Sequence, residues 1–194
     1  MTQPGTSLSA DYFERLYAAK PDPWDFETSP YEQEKYTHTL AGLTEVRYAQ
    51  ALEVGCSIGV LTARLAERCD CLLAVDAAQN ALEAAQARCR GLSQVTFAAA
   101  YIPTDWPDGP FDLILLSEVL YYLSREDLAS VADHIRATSA PDCQLLLVHW
   151  TDPTDYPLTG DEAVETLISH LGADATIIQQ ETRPCYRLDS LRMR

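Results

Sequence analysis

The chain has 194 residues, enough for one domain with a sizeable core and hardly enough for two. Hydrophobic residues make up 47% and charged residues 22%, a globular balance, while 29 acidic against 14 basic side chains leave a net charge of −15. That charge matches phosphate backbones and anionic lipid poorly, which argues against nucleic acid as a partner and for a neutral or cationic substrate.

No stretch approaches the roughly 20 apolar residues that a membrane span needs. Met1 to Phe13 has neither the basic patch nor the apolar core of a signal peptide, so a cytoplasmic protein is expected. Cys56, Cys69, Cys71, Cys89, Cys143 and Cys185 are scattered, mostly among apolar neighbours, and read as buried thiols of a reduced compartment. In Cys69-Asp70-Cys71 one residue separates the sulfurs and no second ligand pair follows, so no metal site is expected.

In chain order, the first ten residues look loose and Asp11 is placed to cap a short helix carrying Phe13, Leu16 and Tyr17. Lys20 to Phe26 is too proline-dense for a helix interior. A helix then starts at Ser29 as N-cap, with Pro30 in the first turn and Glu32 completing a capping box, and its apolar spacing runs to about Val46. From Gln50 strand and helix alternate. Strands are expected at Ala51 to Val54, Cys71 to Val75 closed by Asp76, Val95 to Ala99 and Phe111 to Leu116. Three more follow at Gln144 to His149, Ala175 to Gln179 and Cys185 to Leu191. Between them lie helices carrying Leu61 and Leu65, Leu82 and Ala85, and Leu128, Val131 and Ile135. A further helix is opened by a Thr159–Glu162 capping box and closed at Gly172. Apolar strands between amphipathic helices predict one α/β domain with a mostly parallel sheet covered on both faces. Residues 1–46 form a helical extension and 47–194 the core.

Ligands of such sheets bind beyond the carboxyl ends of the strands. Glu53 to Gly59, Asp76 with Ala77, Ala100 with Tyr101, and Ser117 with Glu118 fall there. Gly55 permits the tight turn after the first strand, and Gly59 is expected to let the next helix approach a ligand. Asp76, ending the second strand, is placed to accept two ribose hydroxyls. The three-glycine pyrophosphate turn and the GxxxxGK[ST] loop are both missing, which leaves a nucleoside without phosphates.

Leu52-Glu53-Val54-Gly55-Cys56-Ser57-Ile58-Gly59 with Val75-Asp76 resembles the first two motifs of class I S-adenosylmethionine-dependent methyltransferases. Phe111 to Leu123 resembles their fourth-strand motif. With Asp22-Pro23-Trp24, Ser29-Pro30-Tyr31-Glu32 and Lys35-Tyr36 added, residues 11 to 191 resemble the nodulation protein S branch of that family. The resemblance implies a three-layer Rossmann-like fold, a seven-stranded sheet with its last strand antiparallel, and an N-terminal segment closing over S-adenosyl-L-methionine. It also implies N-methylation of a small polar amine, such as the free amino group of an amino sugar or deacetylated chitooligosaccharide. O-methylation of a small metabolite and a degenerate, nonenzymatic cofactor-binding domain are the alternatives; whether the chain is a monomer or a homodimer stays open.

The cofactor set implied is Trp24, Tyr31, Glu53, Gly55, Cys56, Gly59, Asp76, Ala77, Ala100, Tyr101 and Ser117. Trp24 and Tyr31 either anchor the extension or cover the methionine half and the acceptor. Tyr101 stands where the family usually has a carboxylate for the adenine N6, and offers a ring to stack or a hydroxyl. Glu118 is expected to orient the amine, with one of Tyr121 and Tyr122 bordering the substrate pocket. His149 is the expected acceptor of the amine's proton or else a structural hydrogen bonder, and Lys35 and His38 are expected on a solvated helix face.

Overall fold

A computed structural model describes residues 5–194, so the start of the expected loose segment lies outside the described residues. The sheet has seven strands: β1 (Ala51–Val54), β2 (Leu72–Asp76), β3 (Val95–Ala99), β4 (Phe111–Ser117), β5 (Ser139–Trp150), β6 (Ala175–Thr182) and β7 (Tyr186–Met193). Their order is β3-β2-β1-β4-β5-β7-β6. All neighbours pair in parallel except β7, which inserts antiparallel between β5 and β6. The order reverses between β1 and β4, so a crevice opens at their carboxyl ends.

Among the described residues six α-helices cover the sheet: α1 (Ala10–Ala19), α2 (Pro30–Ala41), α3 (Val60–Leu65), α4 (Gln79–Arg88), α5 (Arg125–Thr138) and α6 (Gly160–Leu171). The apolar run of β4 is continuous because both its faces are covered. Ile114 and Leu116 pack with Leu128, Val131, Ile135 and Leu167, on the α5–α6 side. Leu113 and Leu115 pack with Tyr36, Leu61 and Leu65, on the α2–α3 side. All four β4 side chains are fully buried, so truncating any of them to alanine costs about 2–5 kcal/mol.

Local chemistry sets most helix boundaries. Thr159 and Glu162 form the reciprocal capping box of α6, and Ser124 caps α5 by accepting the Asp127 amide. At α2 only half of the expected box forms: Ser29 accepts the Glu32 amide, while the Glu32 side chain turns into the protein. Helix α1 starts after Ser9, whose side chain makes no capping bond, and Asp11 lies inside its first turn rather than at the cap. Helix α2 ends at Ala41, five residues before Val46, because Gly42 follows and Gln144 Oε1 takes the Thr44 amide at 3.0 Å. Cys56, Cys69, Cys89 and Cys143 are buried as expected, but Cys71 is exposed and Cys185 only partly buried.

Candidate active site

The loop after β1 is built on backbone that ordinary side chains avoid. Gly55 has φ +79°, and a Cβ there would lie 2.2 Å from Val119 Cγ1, inside the chain that leaves β4. Gly59 also needs its positive φ of +77°, but for a different reason from the one expected. Its missing Cβ lets Ala85 of α4 pack against it, at 2.9 Å from where that atom would sit, and Gly59 does not line the cavity. Between the two glycines, the Ser57 amide donates to Asp76 Oδ2 at 2.8 Å. Asp76 Oδ1 accepts the Ala78 amide at 2.9 Å, so one carboxylate ties the ends of β1 and β2 together. Burial raises the Asp76 carboxyl above its ordinary value, against the pull of these amides.

A cavity of about 380 Å³ opens at the reversal of strand order, large enough for a nucleoside-sized ligand. Over β2 and β3 it is lined by Asp76, Ala77, Ala100 and Tyr101; its floor is Glu53, Gly55, Cys56 and Ser117. Trp24 and Tyr31 line it from the N-terminal segment. The Tyr101 hydroxyl does not point to a ligand: it donates to the Leu8 carbonyl at 3.0 Å, leaving only the ring to the cavity. The Leu8 amide donates to the Tyr122 carbonyl at 2.9 Å, and the Ser7 hydroxyl bonds Asp127 and accepts the Ser124 amide. These bonds strap Leu8 across the mouth. Tyr17 of α1 adds a hydrogen bond to the Ser57 hydroxyl and a ring edge against Trp24.

The opposite wing, over β4 and β5, carries a buried charge network. Glu118 has φ +58°, which swings its side chain into the fold. Its Oε1 accepts Lys35 Nζ at 2.6 Å, and its Oε2 accepts the Tyr121 hydroxyl at 2.7 Å and the Trp150 amide at 2.9 Å. Burial works to raise the Glu118 carboxyl, but the Lys35 ammonium and the hydrogen bonds from Lys35 and Tyr121 hold it below its ordinary value. Lys35 is 2% exposed, not solvated as expected; burial lowers its ammonium pKa, and the Glu118 and Glu32 carboxylates more than reverse that. His38 is partly buried and shares its ring with the Tyr186 hydroxyl and Glu181. Tyr121 and Tyr122 both line the cavity, and Tyr121 stacks on Tyr156.

His149 lies beneath this network rather than in the cavity. It is fully buried, and its Nε2 accepts the Leu120 amide at 3.1 Å, with the Val119 amide at 3.4 Å. Burial lowers its pKa to about 4, so it is neutral near pH 7 and holds the turn after β4. The geometry gives the proton-acceptor expectation no path to an acceptor. Glu53 is also buried in full; burial pushes its carboxyl up to about 8, and its Oε2 has no hydrogen-bond partner.

Sequence reasoning overlooked Glu32, Leu8, Tyr17 and Thr154, and misplaced Lys35. The spacing of Glu32, Lys35 and Thr39 was the available signal. It puts them on the side of α2 that also carries Tyr36, and that side is buried.

A seven-stranded Rossmann-like sheet with one antiparallel strand beside β5, and a cavity at its reversal point, is the class I methyltransferase fold. Within that class the chain belongs to the nodulation protein S family, whose model, "Nodulation protein S (NodS)", matches residues 8–154. It is 34% identical over 114 residues to nodulation protein S of Sinorhizobium fredii, covering 58% of this chain and 52% of that protein. It is 38% identical over 103 residues to nodulation protein S of Bradyrhizobium diazoefficiens, covering 53% and 49%. The chain thus spans about half the length of these curated relatives. The crystal structure of N-methyltransferase NodS from Bradyrhizobium japonicum WM9, in complex with S-adenosyl-L-homocysteine, superposes with a TM-score of 0.83 at 27% identity. That match covers 95% of this chain and 97% of the crystallised one.

Proposed function

We propose that the protein is an S-adenosylmethionine-dependent N-methyltransferase acting on a small polar amine, such as an amino sugar or deacetylated chitooligosaccharide. The observation that carries this reading is the two-ended cavity: the unpaired Glu53 oxygen and a ribose-type carboxylate over β1 and β2, and a buried carboxylate–lysine network over β4 and β5. The residues fit the cofactor. Asp76 has acceptor capacity left for ribose hydroxyls beyond its two amide bonds, and the unpartnered Glu53 Oε2 suits an amino-acid ammonium. Cys56, Ala77, Ala100 and Ser117 complete the walls, and the Tyr101 ring offers a stacking face. When bound, the cofactor supplies an electrophilic methyl group on a sulfonium.

The chain's own residues then align and enclose. The described part of the N-terminal extension, residues 5–46, held by Leu8, Tyr17 and Trp24, excludes water from the reacting centre. Glu118, held by Lys35, Tyr121 and the Trp150 amide, presents a fixed carboxylate beside the acceptor, and His149 positions the turn that follows it. Methyl transfer is an in-line displacement, so alignment supplies much of the rate. Among the described residues no helix is long and apolar enough to cross a membrane.

Calorimetry with S-adenosylhomocysteine tests the cofactor half. Binding is expected, and Asp76→Ala should weaken it by about 1.5–3 kcal/mol, the usual range for a hydrogen bond to a charged group. Locating the methyl that the enzyme adds to glucosamine-terminated oligosaccharides by mass spectrometry tests the acceptor half. An exclusively oxygen-linked methyl overturns N-methylation, and a protein that binds neither cofactor nor its product is no methyltransferase.

A further inference from the structure

The two carboxylates at the α2 wing of the cavity are not equivalent. Glu118 already holds three donors, Lys35, Tyr121 and the Trp150 amide, shared over both of its oxygens. Glu32 lines the same cavity and is 7% exposed, yet Lys35 is the side chain that reaches it, with Nζ 3.0 Å from each of its oxygens and hydrogen-bonded to Oε1. Glu32 Oε2 has no hydrogen-bond partner. Two carboxylates around one ammonium leave an excess negative charge out of water, which is costly until a second cation joins it. The Tyr31 hydroxyl and Thr154 Oγ1 are likewise buried, unpartnered and at the wall of this cavity.

We propose, resting on the N-methyltransferase reading above, that Glu32 binds the acceptor's ammonium group and takes its proton, while Tyr31 and Thr154 receive the acceptor's neighbouring hydroxyls. The step balances: one proton passes from the ammonium nitrogen to Glu32 Oε2. The freed nitrogen lone pair forms the new N–C bond, and the broken C–S bond leaves its electron pair on sulfur. The proton leaves Glu32 for solvent with the product.

The environments separate the two acids in the direction this division of labour needs. Burial raises the Glu32 carboxyl, with Lys35 opposing and Glu118 adding to the rise. Glu118 is held below its ordinary value by its partners. Glu32 is therefore the stronger base of the pair and Glu118 the fixed charge.

The test uses glucosamine and N-acetylglucosamine, which differ in the charged amine, titrated by calorimetry into the protein loaded with S-adenosylhomocysteine at about pH 6. Glu32→Gln should keep its affinity for S-adenosylhomocysteine and for N-acetylglucosamine, and lose about tenfold or more for glucosamine, as expected for removing a charge partner. Its methylation rate should fall roughly 100-fold at neutral pH and recover as pH rises past the acceptor's own pKa, the profile of a lost general base. Glu32→Asp, which retains a carboxylate, should restore part of both. Equal loss for the two sugars, or a parent pH profile in Glu32→Gln, overturns the proposal. Should Glu32→Gln fail to fold, Glu32→Asp decides by the same comparison: a glucosamine-selective loss supports the assignment and an equal loss overturns it. A parent protein that binds no S-adenosylhomocysteine overturns the functional reading itself, which separates that failure from failure at Glu32.

Discussion

Glu53 shows how one buried side chain records what a cavity is built to receive. It sits on β1 among apolar neighbours, fully buried, and burial, with a smaller push from Asp76, raises its carboxyl to about 8. At pH 7 the free protein therefore holds it mostly protonated. A ligand ammonium at Oε2 favours the ionised form and returns the pKa toward the ordinary range. Binding S-adenosylhomocysteine at pH 7 should accordingly release about one proton per site, fading once pH exceeds the raised value. Calorimetry in two buffers of different ionisation enthalpy reads that count, and Glu53→Gln should abolish it. Unchanged release in Glu53→Gln would place the proton elsewhere.

At the scale of elements, the two glycines after β1 do different jobs, and substitution separates them. Gly55 faces the chain leaving β4, so Gly55→Val drives a branched side chain into Val119 and the cavity floor. It should lose S-adenosylhomocysteine binding altogether. Gly59 faces α4, and an added methyl there meets Ala85 backbone rather than ligand. Gly59→Ala should cost about 1–3 kcal/mol of stability, from a positive φ and a displaced helix, with ligand affinity in the folded protein changed little. Urea unfolding paired with calorimetry checks both. Loss of binding in a stably folded Gly59→Ala would return that residue to the cofactor site.

For the whole molecule, two buried groups give stability opposite dependences on pH. His149 has its folded pKa lowered by burial to about 4, beneath the ordinary value of 6.5. Between those values the unfolded chain binds the extra proton, so this contribution is complete above 6.5 and lost as pH falls toward 4. Glu53 is raised from 4.5 to about 8, so its contribution is complete below 4.5 and lost as pH rises through 8. In the parent the two slopes largely cancel over the shared range. Glu53→Gln should therefore lose stability as pH falls from 6.5 to 4, and His149→Asn should gain it as pH falls from 8 to 4.5, each by up to about 1.4 kcal/mol per pH unit. Urea titrations across that range measure both slopes, and parallel slopes in the two variants would contradict the assignment.

The capping of α6, the tight turn at Gly55 and the strands other than β5, which starts five residues before the expected Gln144, were legible from residue order, because each depends on neighbours along the chain or on a repeating apolar spacing. That β7 runs antiparallel was available only through family resemblance, and its place between β5 and β6 only from the folded sheet. Three matters were settled by tertiary packing. Lys35 became a buried charge because α2 lies against the chain after β4, 83 residues away in sequence. The Tyr101 hydroxyl went to Leu8 because the N-terminal strap passes between the chain leaving β3 and the turn at Tyr122. His149 left the cavity because the turn at Leu120 needed its Nε2. In each case a polar atom's partner comes from a distant element, and a buried polar atom takes the partner that folding brings within reach, which no local spacing announces.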